Sequence, residues 1–266
     1  MCAIILTLIL SQAVCADEYF PHDAFNRVVQ QFVDEKGLVN YQALKRQSAD
    51  LNAYVEQIGA ISPENKPTLF ATEAHRLAYW LNAYNALVMQ SVIEAYPVKS
   101  VRDIRWFYGF FNRTKHLVGG KEYTLKHIEH EIVRKQFSDP RIHVGLNCAS
   151  MGCPKLPQQA YQGETLYADL EVHMRLFLQA SRNVYLDRVK NKLYLSKIME
   201  WFETDFTSWY QKQYGKENPT LIDYLKLYVS EPDKNYLEKH PDIDIEYVKY
   251  DWRLNDQELS RQEPLR

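Results

Sequence analysis

Glycine is scarce in this chain, at 9 of 266 residues, and no glycines are spaced as a phosphate-binding loop. Neither GxGxxG nor a Walker motif occurs, and HExxH and GxSxG are missing as well. These absences take nucleotide enzymes, standard zinc peptidases and α/β-hydrolases out of the leading readings, and no cofactor is implied. An excess of one charge is also lacking: Lys+Arg 32 stands against Asp+Glu 34, a net −2. With no basic run either, nothing in the chain points to nucleic acid. Cysteine is nearly absent, at four, and no C-x-x-C redox motif is present. A Cys-x4-Cys spacing with one nearby histidine lacks the second matched pair of a metal site, so no metal is expected.

Long apolar runs are lacking too. Ala3 to Leu10 is the apolar part of an uncharged segment, residues 1–16, too short to span a membrane. Val14-Cys15-Ala16 fits a small-residue cleavage site, and residues 1–16 read as a signal peptide. Lipidation at Cys15 is the rival, although Gln12-Ala13-Val14-Cys15 is a poor lipobox. The expected mature chain, 17–266, is a single globular domain, exported to the periplasm or secreted, with no stable membrane span after cleavage. It keeps only Cys148 and Cys153. In an exported chain that even count favours a local disulfide.

What is present is ordinary globular composition, 46% hydrophobic, with 19 Tyr among 13% aromatics. Helical spacing covers 22–34 and 41–59, and Ser62-Pro63 is a helix-start signal. Thr72 can cap a long helix to about Ala95, stopped near Pro97. Between Arg76 and Glu94 that helix carries no charge and is apolar all round, the mark of a buried central helix. Gly119-Gly120 predicts a two-residue hairpin turn, and Thr124 caps a helix to about Gln136. Arg141 to Asn147 alternates as a strand. Helix 164–180, a hairpin over 184–196, helices near 197–203 and 218–229, and a final strand from Ile243 to Trp252 complete an α+β reading. That fold is helix-rich, around a small, mainly antiparallel sheet.

Three groups of polar residues stand out. His75, Tyr79, Asn82 and Asn85 share a stripe of the central helix, where buried amides must bond loop backbone or line a cleft. Glu129 falls on the apolar face of helix 124–136, with His130 at its margin. Such a carboxylate needs a cation, a donor or a proton, so it reads as a buried Glu–Arg bridge or as a general acid/base. The third group runs from Arg141 and His143 to Cys148 and Cys153. There Cys148 reads as half of a disulfide or as a thiol nucleophile with His143 or His130 as base.

Taken together, Gly37-Leu-Val-Asn-Tyr41, Tyr79-Trp80-Leu-Asn82-Ala-Tyr84-Asn85-Ala86, Ile128-Glu129-His130, Asp139-Pro-Arg141-Ile-His143 leading into Cys148 and Cys153-Pro154, and Tyr250-Asp251-Trp252-Arg-Leu254-Asn255 form an ordered set. Over about 37–255 the chain resembles the domain-of-unknown-function 547 family, found in bacterial exported proteins and in plant and animal multidomain proteins. Ala149 departs from the glycine that many relatives carry. The resemblance implies a shared single-domain fold and carries no established activity. Its motif residues include Asn82, Asn85, Glu129, His130, Arg141, His143, Cys148, Cys153 and Asp251.

Two functions are compatible with these residues. One is a thiol- or His/Glu-dependent hydrolase or acyltransferase on amide or ester bonds, with Glu129, His130, His143 and Cys148 catalytic and Asn82, Asn85, Arg141 and Asp251 binding. The other is a non-catalytic periplasmic binding or interaction module, braced by a Cys148–Cys153 disulfide, for a peptide, glycan or small-molecule ligand.

Overall fold

The apolar stretch after Thr72 forms a helix over Glu73–Ala95, and the Thr72 side chain accepts the His75 backbone N–H at its start. Every residue from Leu77 to Met89 is buried. The computed structural model describes residues 19–105 and 109–262. The leader reading, with Cys2 and Cys15, lies outside the described residues. No helix among them is long and apolar enough to cross a membrane.

Helices Tyr41–Arg46 and Ala49–Ala60 pack on the central helix, and Asp23–Phe32 packs on both of them. The periodicity over 41–59 is thus two helices, broken at Gln47-Ser48. Asn40 caps the first by accepting the Ala43 N–H. Ser62-Pro63 opens a turn instead of a helix, followed by a 3-10 turn over Pro67–Leu69. The predicted hairpin pairs β1 (His116–Val118) with β2 (Lys121–Tyr123). Gly119 and Gly120 both adopt positive φ, 58° and 80°, as a two-residue turn of this hand requires.

The helix after Thr124 is unusual in its middle. Its α-helical turns Leu125–His127 and Arg134–Gln136 flank a π-helical segment, Ile128–Val133. The Arg134 N–H bonds the Glu129 carbonyl, five residues back.

The stretch Arg141–Asn147 is not a strand. Ile142–Gly145 is one helical turn, entered from Asp139, whose carboxylate accepts the Arg141 N–H. The alternation that suggested a strand has another cause: the turn lies between two cores. Ile142 and Leu146 pack into one, and Val144 into the other.

The larger core surrounds the central helix and includes Phe25, Tyr54, Trp80 and Leu170. The smaller is built from Met174, Phe177, Leu193, Leu195, Phe206 and Tyr224. Helix Leu166–Gln179 runs through both. Over the smaller core lies a three-stranded sheet of β3 (Val184–Asp187), β4 (Lys192–Ser196) and β5 (Asp244–Val248). In it β3 is antiparallel and β5 parallel to β4. Helices Lys197–Trp201, Glu203–Tyr214, Leu221–Leu225 and Glu231–Lys239 complete this part. The second and fourth of these lie outside the sequence-based expectation. The architecture is α+β, with two small sheets among many helices.

Candidate functional site

The two central-helix amides bond loop backbone. Asn82 donates to the Tyr161 carbonyl at 2.8 Å and accepts the Tyr161 N–H at 3.0 Å. Asn85 donates to the Gly145 carbonyl and accepts the Asn147 N–H, both at 2.8 Å. Each buried amide therefore satisfies a donor and an acceptor of a loop that no secondary structure pairs. The result holds two loops against the helix: 145–147 before the cysteines and 160–161 after them. Gly145 approaches closely here, since a Cβ on it would lie 2.8 Å from Leu81 Cδ1.

The π-helical segment sets out a polar cluster. Glu129 accepts the Tyr84 hydroxyl at 3.1 Å. Burial pushes its carboxyl above the ordinary range, and the tyrosine bond only partly opposes this. The expected Glu–Arg bridge does not form with Glu129. Arg134 instead binds Asp205 through two bonds, Nε to Oδ2 at 2.7 Å and a terminal nitrogen to Oδ1 at 2.8 Å. His143 Nε2 lies 2.8 Å from Asp205 Oδ2. Burial opposes ionisation of Asp205, but the bonds from His143 and Arg134 outweigh it and hold the carboxyl well below its usual range.

Both histidines are held neutral, mainly by burial. A carboxylate only accepts, so neutral His143 carries its proton on Nε2 and donates it to Asp205. Its ring stacks on Phe202 at 3.9 Å between centroids. His130 Nδ1 accepts from Arg134 at 2.9 Å, which places the proton of the neutral ring on Nε2. His130 is thereby arranged as a donor, and His143 as a buried support.

Cys148 and Cys153 lie at disulfide distance, with Cα atoms 6.4 Å apart. The Tyr250 hydroxyl sits 3.1 Å from each sulfur. Burial pushes the Tyr250 phenol up, so it keeps its proton at neutral pH. Around it stand the rings of Trp201 and Trp252. Arg141 is taken up by Asp139 and Glu171, and Asp251 by Arg253. Neither is brought to Glu129 by a direct bond.

On the Cys153 side opens a cavity of about 730 Å³. Leu38, Val144, Met151 and Phe177 supply apolar wall, and Asn147, Tyr161 and His173 supply polar groups. Three cations, Lys36, Lys155 and Arg182, line it against one carboxylate, Asp169. Arg182 donates to the carbonyls of Met151 and Cys153. Gly37 lets the opposite wall approach: its φ is +78°, and a Cβ there would sit 2.7 Å from the Leu156 nitrogen. Among the described residues, no cluster of three or more metal-ligating side chains exists.

Residues 69–178 match the family model DUF547, described as a protein of unknown function. No curated protein and no solved structure matches the chain. The DUF547 match runs from the start of the central helix to the end of helix Leu166–Gln179. It takes in both amide clamps, Glu129, His130, His143 and the two cysteines, and supports the resemblance read from the motifs. Asp205, Tyr250 and Asp251 lie beyond it. Of these, Asp205 escaped sequence reasoning: it sits on an unpredicted helix, 62 residues from His143. No local signal marks it.

Proposed function

We propose that this protein is an exported, non-catalytic binding module for a small organic anion, braced by the Cys148–Cys153 bridge. The carrying observation is the cavity of about 730 Å³, within the range of small-molecule sites. Its lining pairs apolar wall with an excess of cations over carboxylates. Export is supported by the uncharged, apolar segment before Ala16 and by the paired cysteines.

The test uses 8-anilinonaphthalene-1-sulfonate, whose fluorescence reports entry into an apolar site, and its uncharged relative N-phenyl-1-naphthylamine. Saturable binding of the sulfonate, weakened about tenfold or more in Arg182→Glu or Lys155→Glu, is the expected result. Absence of saturable binding of either probe overturns the reading.

A second reading, a His/Glu-dependent hydrolase or acyltransferase, is favoured by one observation. Glu129 has a raised carboxyl pKa beside Tyr84, as a general acid requires. It predicts turnover of ester or amide probes that is abolished in Glu129→Gln. Turnover unchanged in that variant removes Glu129 from the chemistry. Cys148 acts as a nucleophile only in a reduced form of the pair.

A further inference from the structure

The two sulfurs of the bridge have different surroundings. Cys153 Sγ accepts the Cys148 backbone N–H at 3.0 Å and lies 3.1 Å from the Tyr250 hydroxyl. Cys148 Sγ has the same hydroxyl at 3.1 Å. Cys153 is only 4% exposed, whereas Cys148 is half-buried. A bridged sulfur cannot donate, so the phenol donates its single proton to the pair, shared between the two sulfurs. The Cys148 backbone N–H is the donor that Cys153 has and Cys148 lacks. Arg182 adds a cation through the Met151 and Cys153 carbonyls. Donors and nearby positive charge favour a thiolate over a thiol, and the sulfur that is the better thiolate is the better leaving group.

We propose that Cys148–Cys153 is a thiol–disulfide exchange site, in which an incoming thiolate attacks Cys148 and Cys153 departs as the thiolate. The partner class is a dithiol donor, such as the reduced form of an extracytoplasmic oxidoreductase. Its first sulfur bonds to Cys148 while the bridge breaks, and the electron pair of the old bond stays on Cys153. The donor's second thiolate then attacks its own first sulfur, releasing Cys148 as a thiolate that takes up a proton. In balance, the donor dithiol is oxidised to a disulfide and the bridge is reduced to two cysteines by two electrons. Tyr250 is a positioning residue: it stabilises the departing sulfur without forming a bond to the donor. This inference does not depend on the cavity's ligand. It does make the cavity wall at Cys153 sensitive to the thiol poise of the compartment.

The test compares bridge reduction in the native full-length mature protein and in the same protein unfolded in urea, using dithiothreitol at pH 7 and mass-spectrometric thiol counting. An exchange site is reduced several-fold faster when native; a purely structural bridge is protected, and slower native reduction overturns the proposal. Brief exposure to reduced glutathione, acid quench and peptide mapping should place the adduct on Cys148; an adduct on Cys153 overturns the direction of attack. Tyr250→Phe should slow native reduction about fivefold, the worth of one hydrogen bond near 1 kcal/mol. An unchanged rate refutes the role of the phenol. The wild-type comparison stands even if that variant folds poorly.

Discussion

The two cores of this protein are organised by different means. The larger, around Glu73–Ala95, buries Asn82 and Asn85 and uses them to fasten loops that lack regular pairing. The smaller relies on sheet pairing and amphipathic helices, with rings such as Phe206 and Tyr224 at its centre. Between them lies the turn Ile142–Gly145, whose His143 reaches from the first part to Asp205 of the second. The lesson is one of placement: Asn82 and Asn85 are buried where loop backbone would otherwise go unsatisfied, and His143 where the two parts meet. The DUF547 match ends near that meeting line, at residue 178. Asp205, which joins the histidine and arginine of the matched region, comes from the part beyond it.

Removing a clamp should break this contrast most sharply. Asn85→Ala leaves the Gly145 carbonyl and the Asn147 N–H buried without partners, a loss of about 3 kcal/mol measured by urea unfolding. A loss under about 1 kcal/mol would mean that loop 145–147 is held by other contacts. Next comes the junction. Asp205→Asn forfeits the charge that meets Arg134 and His143, and should cost about 2 kcal/mol, less than a fully buried pair because Arg134 and Asp205 are partly exposed. Equal stability of variant and wild type would show the junction to be held by packing alone.

Acid should act mainly on the larger core. Burial depresses His116 to about 4 and His22 to about 3. A histidine kept neutral in the fold binds fewer protons than in the unfolded chain. Its contribution is therefore complete above the ordinary value of about 6.5 and is lost as pH falls toward the folded values. Tm should drop between pH 6.5 and 4, and His116→Leu should recover ~1–2 kcal/mol of that loss at pH 5. An identical pH profile for that variant would place the acid sensitivity elsewhere. The smallest effect is expected on the outer sheet. Tyr185 is 51% exposed and faces Tyr194 across the strands at 5.9 Å, so Tyr185→Ala should cost about 0.5 kcal/mol. A cost of several kcal/mol would show that the sheet's outer face carries stability the contrast does not assign to it.

How far the chain could be read follows from the range of each signal. The central helix, its Thr72 cap and the Gly119-Gly120 hairpin are short-range patterns and appear as expected. The 141–147 alternation was equally regular but arose from a turn between two cores, which no window of the sequence distinguishes from a strand. Glu129 was placed on the apolar face by ideal helical spacing, and its carboxyl is enclosed. Its partner is Tyr84, 45 residues away on the central helix, a pairing that local spacing does not carry. Asn82 and Asn85 announced themselves as amides in an apolar helix, although which loops they bond is a matter of tertiary structure. The bridge was legible because only two cysteines remain after Ala16. Its link to Tyr250 spans 102 residues and was not legible.

The wide turn at Ile128–Val133 makes residue count a structural variable of this helix. One residue occupies about 100° of an α-helix. A π segment accommodates an additional residue without re-winding what precedes it. Deleting a single position there would return the segment to α spacing with Arg134 still turned toward Asp205, because the wide turn alone absorbs the extra residue. The two ends of the helix, one set by Thr124 and the other by Asp205, thus keep their alignment while the segment between them carries one more position than an α-helix would. A chain one residue shorter here would keep both ends and lose a position between them, in the stretch that holds Glu129 and His130.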